Sequence, residues 1–271
     1  MPTTKVNGVR IYHEVHGEGP PLVLCHSFAL DVRIWTPNLA ELARFHRVIV
    51  YDVRGHGRTE VPKKESSYSY PIFAKDLARL ADHLNLERFS LAGLCMGGQI
   101  ASLFALEHPE RVSSLILINT GPFLSVKHDP AVEAHWRGLA DRIEKEGIEA
   151  NFQALAGNMT SPRFQAARSE GLELLRRIVL SAPAQGLAQT IRGAFLTVED
   201  NDEEFRKLEV PVLVVLGELD ATWSARSEPF RKTIPHAEWL TVKDAGHLAN
   251  LEKPDEFNGA VLRFLVRGRL P

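Results

Sequence analysis

Cysteine is scarce in this chain: Cys25 and Cys95 are the only two among 271 residues. Two thiols do not make a disulfide framework, so the expectation is a cytoplasmic protein with both thiols reduced and no bridge between them. Long hydrophobic runs are missing as well. No apolar stretch approaches the ~20 residues that span a bilayer, and Met1-Pro2-Thr3-Thr4-Lys5 has no signal-peptide core. Neither sign of charge dominates. The net charge is −2 with no basic run, which argues against nucleic acid as a partner. Ligand spacing of the Cys/His kind is absent, so no metal site is expected. A Gly-rich phosphate loop is absent too, and no cofactor is implied. What remains is 44% hydrophobic and 24% charged, ordinary for a globular domain large enough to carry an insertion. Composition leaves monomer and homo-oligomer both open.

The pattern that is present is alternation. Val9 to His16, Leu22 to Cys25, Arg47 to Tyr51, Phe89 to Ala92 and Ser114 to Ile118 read as strands. Trp35 to Ala43, Ile72 to Leu84 and Met96 to His108 read as helices between them. This predicts an α/β fold, a mostly parallel sheet with helices on both faces. Asn7-Gly8 is a turn signal, so Lys5 to His16 is expected to pair antiparallel. From Pro122 to about Asp202 the strands stop and helical signals take over. Asp129-Pro130 starts one helix, which Gly147 ends. Ser161-Pro162 starts another, with Leu172, Leu175, Ile178 and Val179 on one face, and Pro183 opens a third. Alternation resumes at Val210-Pro211, with Val212 to Leu216 and Ala237 to Val242 as the last strands. The expected division is a core of residues 1–121 and 206–271 and a helical segment of residues 122–205. Because that segment leaves and rejoins at strand ends, it reads as a cap over the ligand cleft. The plainer alternative is an insert remote from any site.

Gly93-Leu94-Cys95-Met96-Gly97-Gly98 lies between an apolar strand and a helical stretch. That is the context of the G-x-S-x-G nucleophile elbow, with cysteine in place of serine. So tight a turn forces its middle residue into strained backbone space, and its flanking positions need almost no side chain. The thiol then stands at a helix N-terminus, where free N–H groups and the helix dipole favour negative charge. The competing reading is a small buried hydrophobe in a strand-to-helix turn.

Two distant residues favour the chemical reading. Asp220 falls just past the apolar run Val212 to Leu216, at the strand end where parallel sheets hold their ligands. His247 sits on a loop beside Gly246. Taken singly, Asp220 could be a helix N-cap and His247 a surface histidine, one of 11 in the chain. Together, in the order Cys, Asp, His, they read as nucleophile, orienting carboxylate and base. The backbone N–H groups of Phe28 and Met96 are the candidate oxyanion donors. His26 could bind substrate or brace its loop. Asp52-Val53-Arg54-Gly55-His56-Gly57 reads as a structural turn. In the helical segment, Trp136, Arg137, His128 and His135 are candidates to meet substrate, Arg137 as a carboxylate ligand or as part of a solvated face.

These pieces resemble the α/β-hydrolases, specifically the 3-oxoadipate enol-lactonase-like branch. The resemblance is carried by Leu24-Cys25-His26-Ser27-Phe28-Ala29-Leu30-Asp31 with Trp35, by Tyr51 to Gly57, by Gly93 to Gly98, by Gly217-Glu218-Leu219-Asp220 and by Gly246 to Glu252. It implies an eight-stranded sheet, a helical cap, no cofactor, and hydrolysis of a small-molecule lactone or ester. The chain departs from the branch at Cys95, where serine is usual, and dienelactone hydrolases are similar in using cysteine there. Ser27 stands where many relatives carry glycine. The expected chemistry is a thioester acyl-enzyme formed on Cys95. Two alternatives stay open: acyl transfer from the same thioester, and a ligand-binding protein that keeps the pocket without turnover.

Overall fold

A computed structural model describes residues 3–121, 129–224 and 227–267. Eight strands form one sheet: β1 (Thr3–Val6), β2 (Val9–His16), β3 (Pro21–Cys25), β4 (Arg47–Tyr51), β5 (Phe89–Leu94), β6 (Val112–Ile118), β7 (Val212–Gly217) and β8 (Glu238–Val242). Their spatial order is β1-β2-β4-β3-β5-β6-β7-β8. β1 and β2 pair antiparallel around Asn7 (φ 46°) and Gly8 (φ 82°), two left-handed residues that suit a tight hairpin. β2 is also antiparallel to β4, and every pairing from β4 to β8 is parallel.

The central strands show why. Leu22 to Cys25, Val48 to Tyr51, all of β5, and Val212 to Gly217 are buried residue after residue. A strand that is apolar on both faces needs cover on both, and the helices between strands supply it. The helix Tyr70–His83 starts where Ser69 accepts the Ile72 N–H, with Pro71 in its first turn. β8, at the edge, is half-exposed and carries Glu238 and Thr241 outward. Both cysteines are free. Among the described residues no helix is long and apolar enough to cross a membrane.

Between β6 and β7 the described residues are helical. Asp129 caps the helix Pro130–Ala150 by accepting the Ala131 and Val132 N–H groups. Gly147 (φ 82°) kinks this helix, and a last turn follows, so the expected end at Gly147 is a break within the element. The single helix expected from Ser161-Pro162 is two. Ser161 caps Pro162–Ala166, Arg168 turns left-handed (φ 46°), and Ser169 caps a new helix, Glu170–Leu180. A second serine cap made that restart possible. Leu175, Ile178 and Val179 form the buried face of the second helix. Ala184–Thr190 then runs into a π-helical turn, Ile191–Phe195. The insertion packs closely on the sheet's C-terminal end: a Cβ on Gly186 would overlap the Gly55 carbonyl.

Candidate active site

Cys95 is the one residue between β5 and the helix Met96–Glu107. Its φ of 48° and ψ of −109° lie where L-residues are seldom found. Three glycines permit this. A Cβ on Gly93 would overlap the Gly97 carbonyl, one on Gly97 the Cys25 carbonyl, and one on Gly98 the Thr120 side chain. The strained residue is held by its own backbone. Its N–H donates to the Ile118 carbonyl at 2.9 Å, and its carbonyl accepts from the Gln99 N–H at 3.1 Å and from Thr120 Oγ1 at 3.0 Å. The thiol is left at a helix N-terminus, where an anion is favoured.

Asp220 lies three residues past the end of β7, and His247 lies on the loop after β8. Asp220 Oδ2 accepts from His247 Nδ1 at 2.6 Å and from Asn119 Nδ2 at 2.6 Å, while Oδ1 accepts the Trp223 N–H at 3.4 Å. A carboxylate can only accept here, so Nδ1 carries the proton and the rest of the ring turns to Cys95, with which it hydrogen-bonds. Burial by itself would push the Cys95 thiol up. The His247 charge, the His247 hydrogen bond and a hydrogen bond from Ser27 outweigh it, and the thiol lies below its ordinary value. Burial would lower His247, but the Cys95 charge and the Asp220 hydrogen bond push it up to about 10. Burial also raises Asp220, yet His247, Asn119 and the Trp223 N–H hold its carboxyl below the usual range. The shifts agree in sign and favour the thiolate–imidazolium form of the pair.

These three side chains open into one cavity of about 410 Å³. Ser27 and Phe28 line it from the loop after β3, and Trp136, Leu139, Leu155, Met159 and Phe195 line it from the insertion. No acceptor among the described residues takes the N–H of Phe28 or of Met96, so both donors are available to a ligand.

For His26 and Arg137 the structure favours the plainer of the two readings left open by the sequence. His26 is fully buried and does not line the cavity. The Val53 N–H donates to its Nε2 at 2.9 Å, and its Nδ1 donates to the Ser27 carbonyl at 2.8 Å, so both nitrogens are engaged and the ring is a brace, not a substrate ligand. The peptide it holds, Ser27–Phe28, is the one that carries the Phe28 N–H. Arg137 is exposed and pairs with Glu133 at 2.6 Å, one turn back. Trp136 faces the cavity, so its neighbour, about 100° further round the helix, faces solvent. His135 reaches the cavity mouth, and His128 lies outside the described residues. The turn at Asp52 is structural as expected: the carboxylate accepts the Val32 and Arg58 N–H groups at 2.8 and 2.7 Å, and burial pushes it up to about 7.

Three residues escaped the sequence reading. Asn119 orients Asp220, and the same strand-end position that marked Asp220 marks Asn119 after β6. Ser27 hydrogen-bonds the Cys95 sulfur. Glu252 accepts the Gly246 N–H at 2.9 Å and the Ser161 N–H at 3.0 Å, and the Leu248 N–H donates to the Met159 carbonyl at 3.1 Å. The loop that carries His247 is thereby tied to the insertion.

Comparison with known proteins agrees with this fold. Residues 20–254 match the alpha/beta hydrolase fold family. A Bacillus subtilis (strain 168) protein provisionally named 2-succinyl-6-hydroxy-2,4-cyclohexadiene-1-carboxylate synthase is 33% identical over 272 residues, covering 97% of each chain. The 3-oxoadipate enol-lactonase 2 of Acinetobacter baylyi is 28% identical over 250 residues, covering 92% of this chain and 89% of the relative. Among solved structures, a thermophilic esterase from Thermogutta terrifontis superposes with a TM-score of 0.89 at 31% identity, covering 99% of this chain and 97% of the other.

Proposed function

The chain belongs to the alpha/beta hydrolase fold family, in its enol-lactonase-like branch, and is a hydrolase of carboxylic esters or lactones; from that premise we propose that Cys95 is its nucleophile, His247 its acid and base, and Asp220 the carboxylate that orients His247. One observation carries this reading: the strained elbow thiol hydrogen-bonds His247, whose Nδ1 lies 2.6 Å from Asp220, at the floor of a single cavity. The Cys95 thiolate attacks the carbonyl carbon of a small-molecule substrate. The oxyanion that forms is held by the N–H groups of Phe28 and Met96, and one such donor is worth about 2.7–4 kcal/mol in a hydrolase. His247 gives its proton to the leaving oxygen as the C–O bond breaks, leaving a thioester on Cys95. For a lactone, the freed hydroxyl stays tethered to the acyl group. Neutral His247 then takes a proton from water, hydroxide attacks the thioester, and the carboxylic acid product departs as the thiolate and imidazolium re-form. Asp220 stabilises the imidazolium at each stage. The described part of the insertion, residues 129–205, acts as a cap that limits water to the molecule consumed in the second step. His26 steadies the oxyanion loop from behind.

Intact-protein mass spectrometry after rapid mixing with p-nitrophenyl acetate tests the proposal. One acetyl group on Cys95, and a loss of roughly 10⁴-fold or more in kcat/KM for Cys95→Ala, are expected. Activity that survives in Cys95→Ala with no adduct on the native chain would reject the nucleophile.

A further inference from the structure

The cavity over Cys95 has two kinds of wall. Its inner surface is hydrocarbon: the Phe28 ring, Leu139 and Leu155 are buried, and Trp136, Met159 and Phe195 are partly so. Among the described residues, its polar side chains outside the reacting groups and Ser27 are His135 and Asn158, both exposed at the mouth. The aromatic part of the wall is fixed before any ligand enters. The Phe195 ring centre lies 5.0 Å from that of Phe28 and 5.1 Å from that of Trp136, and the ring stacks on Tyr70 at 6.3 Å with an interplanar angle of 11°. The π-helical turn Ile191–Phe195 delivers that ring, and such turns gather at functional sites. Each methylene packed here instead of in water contributes a factor of about four.

The floor adds an electrostatic bias. Cys95 and His247 share one proton and are together neutral whichever holds it, so the Asp220 carboxylate beside His247, with Oδ2 2.6 Å from Nδ1, leaves the floor with one net negative charge. A carboxylate on the substrate would leave water for hydrocarbon and meet that excess of negative charge. Among the described residues no Lys or Arg lines the cavity to compensate.

We propose that the substrate is a neutral, hydrocarbon-rich ester or lactone whose alkyl or aryl group packs against Trp136 and Phe195 while its carbonyl sits at Cys95, with Phe195 as a specificity-determining residue. This rests on the ester and lactone hydrolase reading and names its substrate class. The volume, about 410 Å³, is near the low end of the ~300–1,000 Å³ found for small-molecule sites, so the hydrocarbon group is of medium length.

Two matched pairs of esters test it on the native chain. One pair varies the acyl end, p-nitrophenyl hexanoate against mono-p-nitrophenyl adipate. The other varies the alcohol end, hexyl acetate against 6-acetoxyhexanoate. The neutral member is expected to win by about 100-fold in kcat/KM in at least one pair, the penalty of an unpaired charge in an apolar site. A preference of tenfold or more in either pair supports the proposal, and less than tenfold in both overturns it. In the pair that discriminates, Phe195→Ala is expected to raise KM for the neutral ester about tenfold and to narrow its advantage over the charged ester; equal losses on both would overturn the role of Phe195. If no ester is turned over, the hydrolase reading fails separately. Binding of 2-octanone against 7-oxooctanoate, read by tryptophan fluorescence, then decides the cavity's preference by the same tenfold criterion.

Discussion

Cys25 ends one strand of the sheet and Cys95 directly follows the end of its neighbour, and their surroundings drive them in opposite directions. Cys25 is the last residue of β3 and lies opposite Gly93 of β5, two positions before Cys95. It keeps the extended backbone of its strand and points into the core, fully buried, with Sγ 3.0 Å from the Tyr51 hydroxyl. Burial pushes its thiol up to about 12. Cys95 leaves the strand through a left-handed turn and opens on a cavity beside His247. The two residues share chemistry, sheet and strand end. What separates them is one backbone angle and the partner it gives access to. The elbow earns its strain by exposing sulfur to an imidazole that a third residue holds in place.

The largest expected effect tests that contrast directly. At pH 7, iodoacetamide should modify Cys95 at least about 10³-fold faster than Cys25, measured by peptide mapping over time. The pH dependence has a definite sign. The thiol of Cys95 is depressed, so its alkylation rate stays level as pH falls from 9 and declines only once pH passes below the lowered value. Ester hydrolysis is lost at the other end, as His247 gives up its proton near pH 10 and can no longer protonate the leaving oxygen. A Cys95 rate that climbs through pH 9 like an ordinary thiol would erase the distinction between the two sites.

The next effect removes the support behind the imidazole. Asp220→Asn keeps the shape and loses the charge, and its amide nitrogen would face His247 Nδ1 as a second donor. The wrong tautomer and an unsupported imidazolium are expected to lower kcat about 10²- to 10⁴-fold with little change in KM. The alkylation plateau of Cys95 should move up toward ordinary thiol behaviour in the same variant. Unchanged kcat would mean that Asp220 is a helix cap alone.

The sequence made some of this visible and hid the rest for physical reasons. The elbow was legible because glycine spacing reports backbone crowding, and Gly93, Gly97 and Gly98 each meet a neighbour that excludes a side chain. Asp220 and His247 were legible from position at strand ends. Asn119 had the same signal and was passed over because an amide at a strand end carries no distinctive pattern of its own. The role of His26 was not decidable from the chain: its two ring partners, Val53 and Ser27, come from different loops, and only the fold brings them together. Arg137 was decidable in principle, since helical phase turns it about 100° away from Trp136, with Glu133 four residues back. The split of the helix after Ser161 was hidden because Arg168, not glycine, takes the left-handed position.

The smallest effect sharpens the inert side of the comparison. Tyr51→Phe deletes the hydroxyl that hydrogen-bonds Cys25. Burial raises the Cys25 thiol while the Tyr51 hydrogen bond pulls it down, so removing the hydroxyl should leave the thiol still harder to ionise. Its alkylation is therefore expected not to rise, although a polar neighbour has gone. A weak sulfur hydrogen bond is worth on the order of 1 kcal/mol or less, which in a chain of this length lowers Tm by about 2–4 °C at most. Hydrolysis should stay within about twofold, because Tyr51 does not line the cavity over Cys95. Faster labelling of Cys25 in the variant would show that the tyrosine, rather than the closed packing around the end of β3, keeps this sulfur silent.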